Sequence, residues 1–444
     1  MQKKGESRRV VWELAWPVIL ALISESLVGL VDMMMVAQLG ATAVAAVGLG
    51  GQLLGAVTVT MMAVGTGTLA LVARSVGAGS IDEAQSILGQ SLLAATVLAV
   101  AAQIPVMLGA EGLVGIFGMS SDVAHEASGY VRTVALAIAP AAVLFVIGSA
   151  LRGAGDTRTP LVIGLVVNVV NVAANWVLIF GKLGFPALGV QGSALATAVA
   201  FTVGMILGLA LLATRSLRLR IGRGHLRPDL ALTKRILWIG YPSAIEQLLM
   251  QIGFFVYLAF AARYGTDAVA AYFVGVRILA LSFLPGFGFA AAASTLVGQH
   301  LGAGTPDRAA EAGWMSTWMS VWMMSAGGVV VFAFAEPIAR LFVDENAVVD
   351  ATVWFIFMLA IAQPFMAIDF TLGGALRGGG DTRFPLWTVV FAFYTLRLGL
   401  SALVALAFQL SLPWLWSTLI ADYIARAGLK AWRFRGTAWQ RIEV

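Results

Sequence analysis

The sequence predicts an all-α polytopic membrane protein, with twelve transmembrane helices arranged as two parallel six-helix repeats. Three observations carry that prediction. Of 444 residues, 60% are hydrophobic and only 11% charged, far from the balance of soluble domains. Apolar stretches of about 20 residues recur along the chain, each long enough at ~1.5 Å per residue to cross roughly 30 Å of hydrocarbon. The polar stretch LRGAGDTRTPL at 151–161 returns as LRGGGDTRFPL at 376–386, with nine of eleven positions identical at an offset of 225.

Taken in order, the spans centre near residues 22, 60, 97, 138, 171, 202, 248, 284, 323, 363, 397 and 421. They are too long and too continuously apolar for barrel strands, so their backbones satisfy themselves inside helices. The segment SRRVVWELAW at 7–16 has a passing likeness to a twin-arginine export signal, but no small-residue cleavage site follows it and the first span is expected to be retained.

Cysteine is absent, which excludes disulfides and thiolate metal sites. The three histidines, His125, His225 and His300, are far apart and show no zinc or triad spacing. No catalytic cluster stands out, so the chain does not read as an enzyme.

Positive charge sets topology. With both termini in the cytoplasm, 22 of the 28 Lys and Arg fall on the cytoplasmic side, from Lys3, Lys4, Arg8 and Arg9 to the tail beginning at Arg426. The external 336–350 loop is acidic. The basic surplus thus needs no nucleic-acid partner, because it marks the face toward the anionic headgroups of an inner, plasma-type membrane. The one long polar stretch is a basic linker at 215–235, which divides an N-lobe (1–214) from a C-lobe (236–444).

The offset of 225 persists across the halves: AWP at 15–17 answers GYP at 240–242, LGATAVAA at 39–46 answers YGTDAVAA at 264–271, and Glu111 answers Glu336. Each copy holds six spans, an even number, so both enter the membrane the same way and form parallel repeats suited to alternating access. The repeated polar motif is then the short cytoplasmic loop between the fourth and fifth spans of each copy. Gly153 and Gly378 are expected to end one helix at positive φ, while Asp156/Thr157 and Asp381/Thr382 cap the next, with Pro160 and Pro385 in its first turn. Arg152, Arg158 and their counterparts Arg377 and Arg383 can pair with the loop aspartates. The loop reads as a duplicated hairpin, with a direct role in substrate binding as the alternative.

Twelve spans in two sixes, LRGxGDTR after spans four and ten, LGxxAVAA after spans one and seven, and GSALAT at 192–197 resemble the multidrug and toxic compound extrusion (MATE) family, specifically its DNA-damage-inducible F (DinF)-like branch. The resemblance covers essentially the whole chain. It implies a secondary-active exporter with an N-lobe and a C-lobe, driven by H⁺ or Na⁺ and expelling mostly cationic amphipathic compounds. No cofactor beyond the coupling ion is implied, and the chain is expected to work as a monomer in contact with membrane lipid.

Ionisable residues inside spans are expensive and are functional-site candidates by default. They are Glu25 and Asp32 in span one, Glu246 in seven, Arg277 in eight, Asp369 in ten, Arg397 in eleven and Asp422 in twelve; none has an ionisable counterpart at the 225 offset. Glu25 and Asp32 lie seven residues apart, on one helix face, and Asn171 and Asn175 form an i, i+4 pair in span five. The resemblance matches Asp32 to the first-helix aspartate of H⁺-coupled members. It matches Asn171 and Asn175 to a fifth-helix Asn-x-x-x-Asp pair, with Asn175 standing where an aspartate is common. Thr197 closes the GSALAT segment nearby in the same lobe. Asn168 reads equally as interhelical hydrogen-bonding glue, which is the alternative reading for Asn171 and Asn175. As a proton site, Asp32 would release a held cation when neutralised, with the first helix adjusting near Pro17.

In the C-lobe, Glu246 and Asp369 resemble the carboxylates that hold the cation in Na⁺-coupled members, and with Gln251 could supply oxygen ligands. Internal neutralisation by Arg397 or Arg277 is the alternative. Trp314, Trp318 and Trp322 repeat every fourth residue among methionines, either as a wall for lipophilic cations or as lipid-facing packing. GLGGQLLG at 48–55 is not a nucleotide loop, since no Walker lysine attends it. The sequence thus points to a proton-coupled multidrug antiporter, with a Na⁺-coupled exporter and a lipid-linked precursor flippase of the same superfamily as alternatives. Counting Arg277 and Arg397 as the only in-span bases against five acids favours cationic cargo over the anionic headgroup of a flippase.

Overall fold

Long apolar runs interrupted by Gly, Pro and short polar turns produce helix after helix. The computed structural model describes residues 2–116, 118, 121–214 and 217–442, with the backbone alone for residues 2–7, 53, 54, 56–58 and 60. Lys3, Lys4 and Arg215, counted above with the cytoplasmic basic residues, and Leu53 and Leu54 of the glycine-rich segment therefore lie outside the described side chains. No strand occurs among the described residues.

The first half contains α1 (Gln2–Ala37), α2 (Ala41–Gly77), α3 (Ile81–Leu108), the short α4 (Ala110–Gly115), α5 (Ser121–Val134), α6 (Ile138–Gly153), α7 (Arg158–Phe180) and α8 (Gly189–Ala213). The second contains α9 (Leu230–Ala262), α10 (Thr266–Ser282), α11 (Leu284–Gly302), α12 (Pro306–Ala333), the short α13 (Ala335–Arg340), α14 (Asn346–Gly378), α15 (Arg383–Thr388), α16 (Gly399–Ala402) and α17 (Leu412–Arg435). Two π-helical stretches, Val389–Leu398 and Leu403–Ala407, flank α16, so the eleventh span is a mixed helix. Ten spans among the described residues are long and apolar enough to cross a membrane. The second expected span is α2, apolar along its length, and the twelfth is α17, whose interior carries Asp422, Arg426 and Lys430.

The repeat is visible element by element. α2 is continuous where its counterpart breaks at Phe283 into α10 and α11, just before Pro285. Conversely, α14 is continuous where its counterpart breaks into α5 and α6 through a 3₁₀ turn at Ala135–Ala137, just before Pro140. A proline lacks the N–H that would carry the helix through and crowds the preceding turn, which accounts for the break before Pro285, where α2 has no proline. It does not by itself account for the break before Pro140, since α14 runs unbroken through Pro364.

The chain groups into two units, one of residues 20–244 (here the N-unit) and one of residues 1–19 with 245–444 (the C-unit). The divisions fall inside α1 and α9, each two residues past an in-helix proline, Pro17 or Pro242, at positions 225 apart. Within the N-unit, the linker is fastened by Gln90, a buried α3 residue. Its Nε2 donates to the His225 carbonyl at 3.1 Å and the Arg227 carbonyl at 2.7 Å, and its Oε1 accepts from the Asp229 N–H at 2.9 Å.

Both duplicated loops are hairpins, with one correction to the sequence reading. The residues at positive φ are Gly155 and Gly380, both at 88°, not Gly153 and Gly378. The latter remain helical and are glycine for lack of room: a Cβ would collide with the Leu69 carbonyl and with the Ser294 backbone, respectively. The aspartates do cap: Asp156 Oδ1 accepts from Thr159 N at 2.9 Å, and Asp381 Oδ1 from Phe384 N at 3.3 Å.

Candidate functional site

In the N-unit, α1 and α7 bring Asp32 against the two asparagines. Asn175 Nδ2 donates to Asp32 Oδ1 at 2.6 Å. With its nitrogen turned to the carboxylate, the Asn171 amide donates to both Asp32 oxygens at 2.9 Å. Asn171 and Asn175 are buried one turn apart on α7, so a single helix face presents both amides. Thr197 of α8 stands 3.4 Å from the Asn171 amide, and its hydroxyl donates to the Ser193 carbonyl at 3.1 Å. Tyr130 of α5, buried in the same apolar cluster as Val36, lies within electrostatic reach of Asp32. Sequence reading missed Tyr130, whose only signal is a tyrosine in a stretch with few others. Among the described residues, no Lys, Arg or His pairs with Asp32, and Asn175 Oδ1 is a buried acceptor with no hydrogen-bond partner. Asp32 itself is half-buried.

Two further N-unit candidates stand apart from this cluster. Asn168 donates to Ser24 Oγ at 2.8 Å, tying α7 to α1, and Glu25 lies on the exposed side of α1. Arg152 donates to Ser149 Oγ at 3.1 Å.

The C-unit gathers its charges differently. Arg377, from the duplicated motif, donates to both Glu246 oxygens at 2.8 Å. Asp369 accepts from Lys430 Nζ at 2.6 Å and lies 3.4 Å from Arg426 Nη1. Arg426 Nη2 donates to Asp422 Oδ2 at 2.8 Å, and Arg397 Nη1 approaches the same oxygen at 3.8 Å. Arg426 and Lys430 are only 2% exposed, which corrects their placement with the cytoplasmic tail. They follow Asp422 on α17 at helical spacings of four and eight, so the same face that buries Asp422 buries them. Removing either partner of such a desolvated pair costs about 3–5 kcal/mol, because the other charge is stranded.

Gln251 and Arg277 are exposed and join neither carboxylate. Trp314 packs edge-on to Phe434 at 5.7 Å, whereas Trp318 and Trp322 are exposed. Asp381 has a second partner besides its cap, since Arg433 Nε donates to Asp381 Oδ2 at 2.8 Å. Among the described residues, no group of three or more His, Cys, Asp or Glu is arranged to hold a metal ion.

The comparisons with known proteins agree with this architecture. The chain is 30% identical over 446 residues to the probable multidrug resistance protein NorM of Thermotoga maritima, covering 99% of this chain and 94% of that one. It is 25% identical over 447 residues to the uncharacterized transporter YisQ of Bacillus subtilis, covering 99% and 96%. The solved structure of a MOP superfamily transporter from Pyrococcus furiosus superposes with a TM-score of 0.90 over 98% of this chain and 97% of its own, at 23% identity, and so supports the fold. The MatE family model matches residues 17–177 and 242–403, one match in each half. With both halves matched and a full-length relative at 30% identity, the chain belongs to the MatE family, the multidrug and toxic compound extrusion transporters.

Proposed function

We propose that the chain is a multidrug efflux antiporter of the plasma (inner) membrane, with both termini cytoplasmic, which exports lipophilic cationic compounds in exchange for H⁺ by alternating access. The observation that carries the reading is Asp32, a carboxylate held by two neutral amides with no basic partner among the described residues. A carboxylate paired with a buried Arg or Lys is locked in one charge state; one held by amides can gain and lose a proton without breaking an ion pair. Protonation removes the charge that holds a cation and weakens the amide bonds that fasten α1 to α7. Pro17, inside α1, gives that helix a place to bend. Each inward proton contributes about 2.3 kcal/mol per 100 mV, plus its pH term. The relatives named as multidrug resistance proteins support the cargo class.

Coupling to Na⁺ is the second reading, favoured by one observation. Asn175 Oδ1 is a buried acceptor without a partner, on the amide whose nitrogen binds the Asp32 carboxylate, and a hard cation takes oxygen ligands of this kind. The test is transport by the purified protein in proteoliposomes with proton and sodium gradients imposed separately. The proposal expects export to follow the pH gradient at constant Na⁺. A rate that follows Na⁺ alone overturns proton coupling.

A further inference from the structure

The C-unit contains a buried cation whose hydrogen bonds are unmade. Arg397 is 0% exposed, and none of its three guanidinium nitrogens makes a hydrogen bond of sound geometry among the described residues, the Tyr257 hydroxyl being at most a loose partner. Its nearest carboxylate oxygen, Asp422 Oδ2, is 3.8 Å away and already accepts from Arg426 at 2.8 Å. The guanidinium carbon lies 4.5 Å from the centre of the Tyr257 ring, 5.1 Å from that of Phe393 and 5.4 Å from that of Phe254. Ring faces attract the charge, but they do not replace acceptors along the guanidinium edge. Arg426 Nε is a further buried donor without a partner.

The charges do not balance either. Arg397, Arg426 and Lys430 meet only Asp369 and Asp422, which leaves one positive charge in excess. Including the neighbouring Glu246–Arg377 pair leaves the excess unchanged. A buried uncompensated charge is strongly unfavourable and calls for a counter-ion.

We propose that this cluster binds one small inorganic monoanion of about chloride size on the edge of the Arg397 guanidinium. It is an anion because the unpaired groups on Arg397 and Arg426 are donors, and a monoanion because the excess is a single charge. It is small because the neighbours Tyr257, Phe393 and Tyr423 are all closely packed, at 2% exposure or less. Asp422 Oδ1, the unpaired acceptor of the cluster, repels an anion, which places the ion on the part of the edge turned away from Asp422. Arg397 also sits in the π-helical stretch Val389–Leu398, a distortion that recurs at functional sites. The proposal concerns the C-unit alone and stands whichever ion drives transport.

The test uses full-length protein purified in gluconate and then titrated with chloride or bromide at constant ionic strength. The expected result is a saturable rise of the unfolding midpoint, about 3 °C at a hundredfold excess over Kd, with bromide anomalous scattering centred on the Arg397 edge. Arg397→Met removes the excess charge and should abolish the halide dependence. Should that variant fail to fold, the wild-type bromide map still decides. Asp422→Asn, which raises the excess to two, should steepen the dependence. Equal midpoints in chloride and gluconate, or a map with water alone at Arg397, would overturn the proposal.

Discussion

The offset that reveals the duplication also sets two polar centres side by side for comparison. Asp32 answers Tyr257, Thr197 answers Asp422, Asn171 and Asn175 answer Leu396 and Leu400, and Arg397 stands next to the counterpart of Asn171. The same corner of the six-helix unit, where the first, fifth and sixth helices of each copy meet, is therefore polar in both halves, with opposite solutions. In the N-unit one carboxylate is held by neutral amides; in the C-unit two carboxylates are bound to Arg426 and Lys430, with Arg397 a third cation 3.8 Å away under an aromatic cover. Duplication supplied the scaffold, and divergence gave one copy a group free to change charge and the other a set of charges fixed by one another.

The sharpest way to break that contrast is Asp32→Asn, which mimics the protonated state permanently. The variant should reach the membrane at normal abundance and lose at least about a hundredfold in transport rate, some 2.7 kcal/mol or more in barrier. Parental export against a gradient, driven by a pH gradient alone, would remove Asp32 from coupling.

The C-unit should respond in stability instead. Lys430→Ala removes the 2.6 Å hydrogen bond to Asp369 and leaves Arg426, at 3.4 Å, as its remaining cation; it is expected to cost about 1.5–3 kcal/mol, read as a lowered unfolding midpoint. Replacing both partners, Lys430→Met with Asp369→Leu, should recover most of the loss. If Lys430→Ala unfolds normally but fails to transport, the cluster is working machinery and the contrast between the halves fails.

Asn175→Asp sharpens the comparison from the N-unit side by supplying a second carboxylate beside Asp32. The new side chain occupies the same volume and can share a proton with Asp32. Transport should persist within about threefold of the parent in the proteoliposome assay. A drop beyond tenfold would mean that the Asn175 amide donor, at 2.6 Å from Asp32, is indispensable.

How much of this was legible follows from what each feature depends on. The helices and the two copies were legible because hydrophobic run length and a constant offset are local properties of the string. Asp32 with Asn171 and Asn175 was legible because a lone in-span acid and an i, i+4 amide pair are rare in so apolar a chain. Arg426 and Lys430 were not, because positive charge near the end of a last span reads as the cytoplasmic signature. Only their register with Asp422 on α17, at four and eight residues, hints that they turn inward. The Gln90 clamp was equally hidden, since its partners are backbone groups more than 130 residues away, which no side-chain pattern announces. Gly153 and Gly378 were misread because helix ends favour glycine at positive φ, whereas here close packing by a neighbouring helix set the choice two residues earlier.

The smallest expected effect concerns the repeated loops, where nearly identical sequences sit in unequal surroundings. Asp156 caps α7 through Thr159 N and has no basic partner among the described residues, while Asp381 caps α15 through Phe384 N and also accepts from Arg433. Asp381 is the more buried, at 4% exposure, so its charge interaction is less screened. Losing a cap costs about 1 kcal/mol, and losing a partly buried charged hydrogen bond adds roughly another 1–2 kcal/mol. Asp156→Ala should therefore lower stability by about 1 kcal/mol and Asp381→Ala by about 2–3 kcal/mol, with the drug range of both variants unchanged. Arg433→Gln should account for most of the difference, because it removes the partner and leaves the cap. Equal losses in the two loops would show that Arg433 contributes little and that the hairpins are equivalent in energy as well as in sequence. A changed drug range at normal stability would make the loop part of substrate recognition.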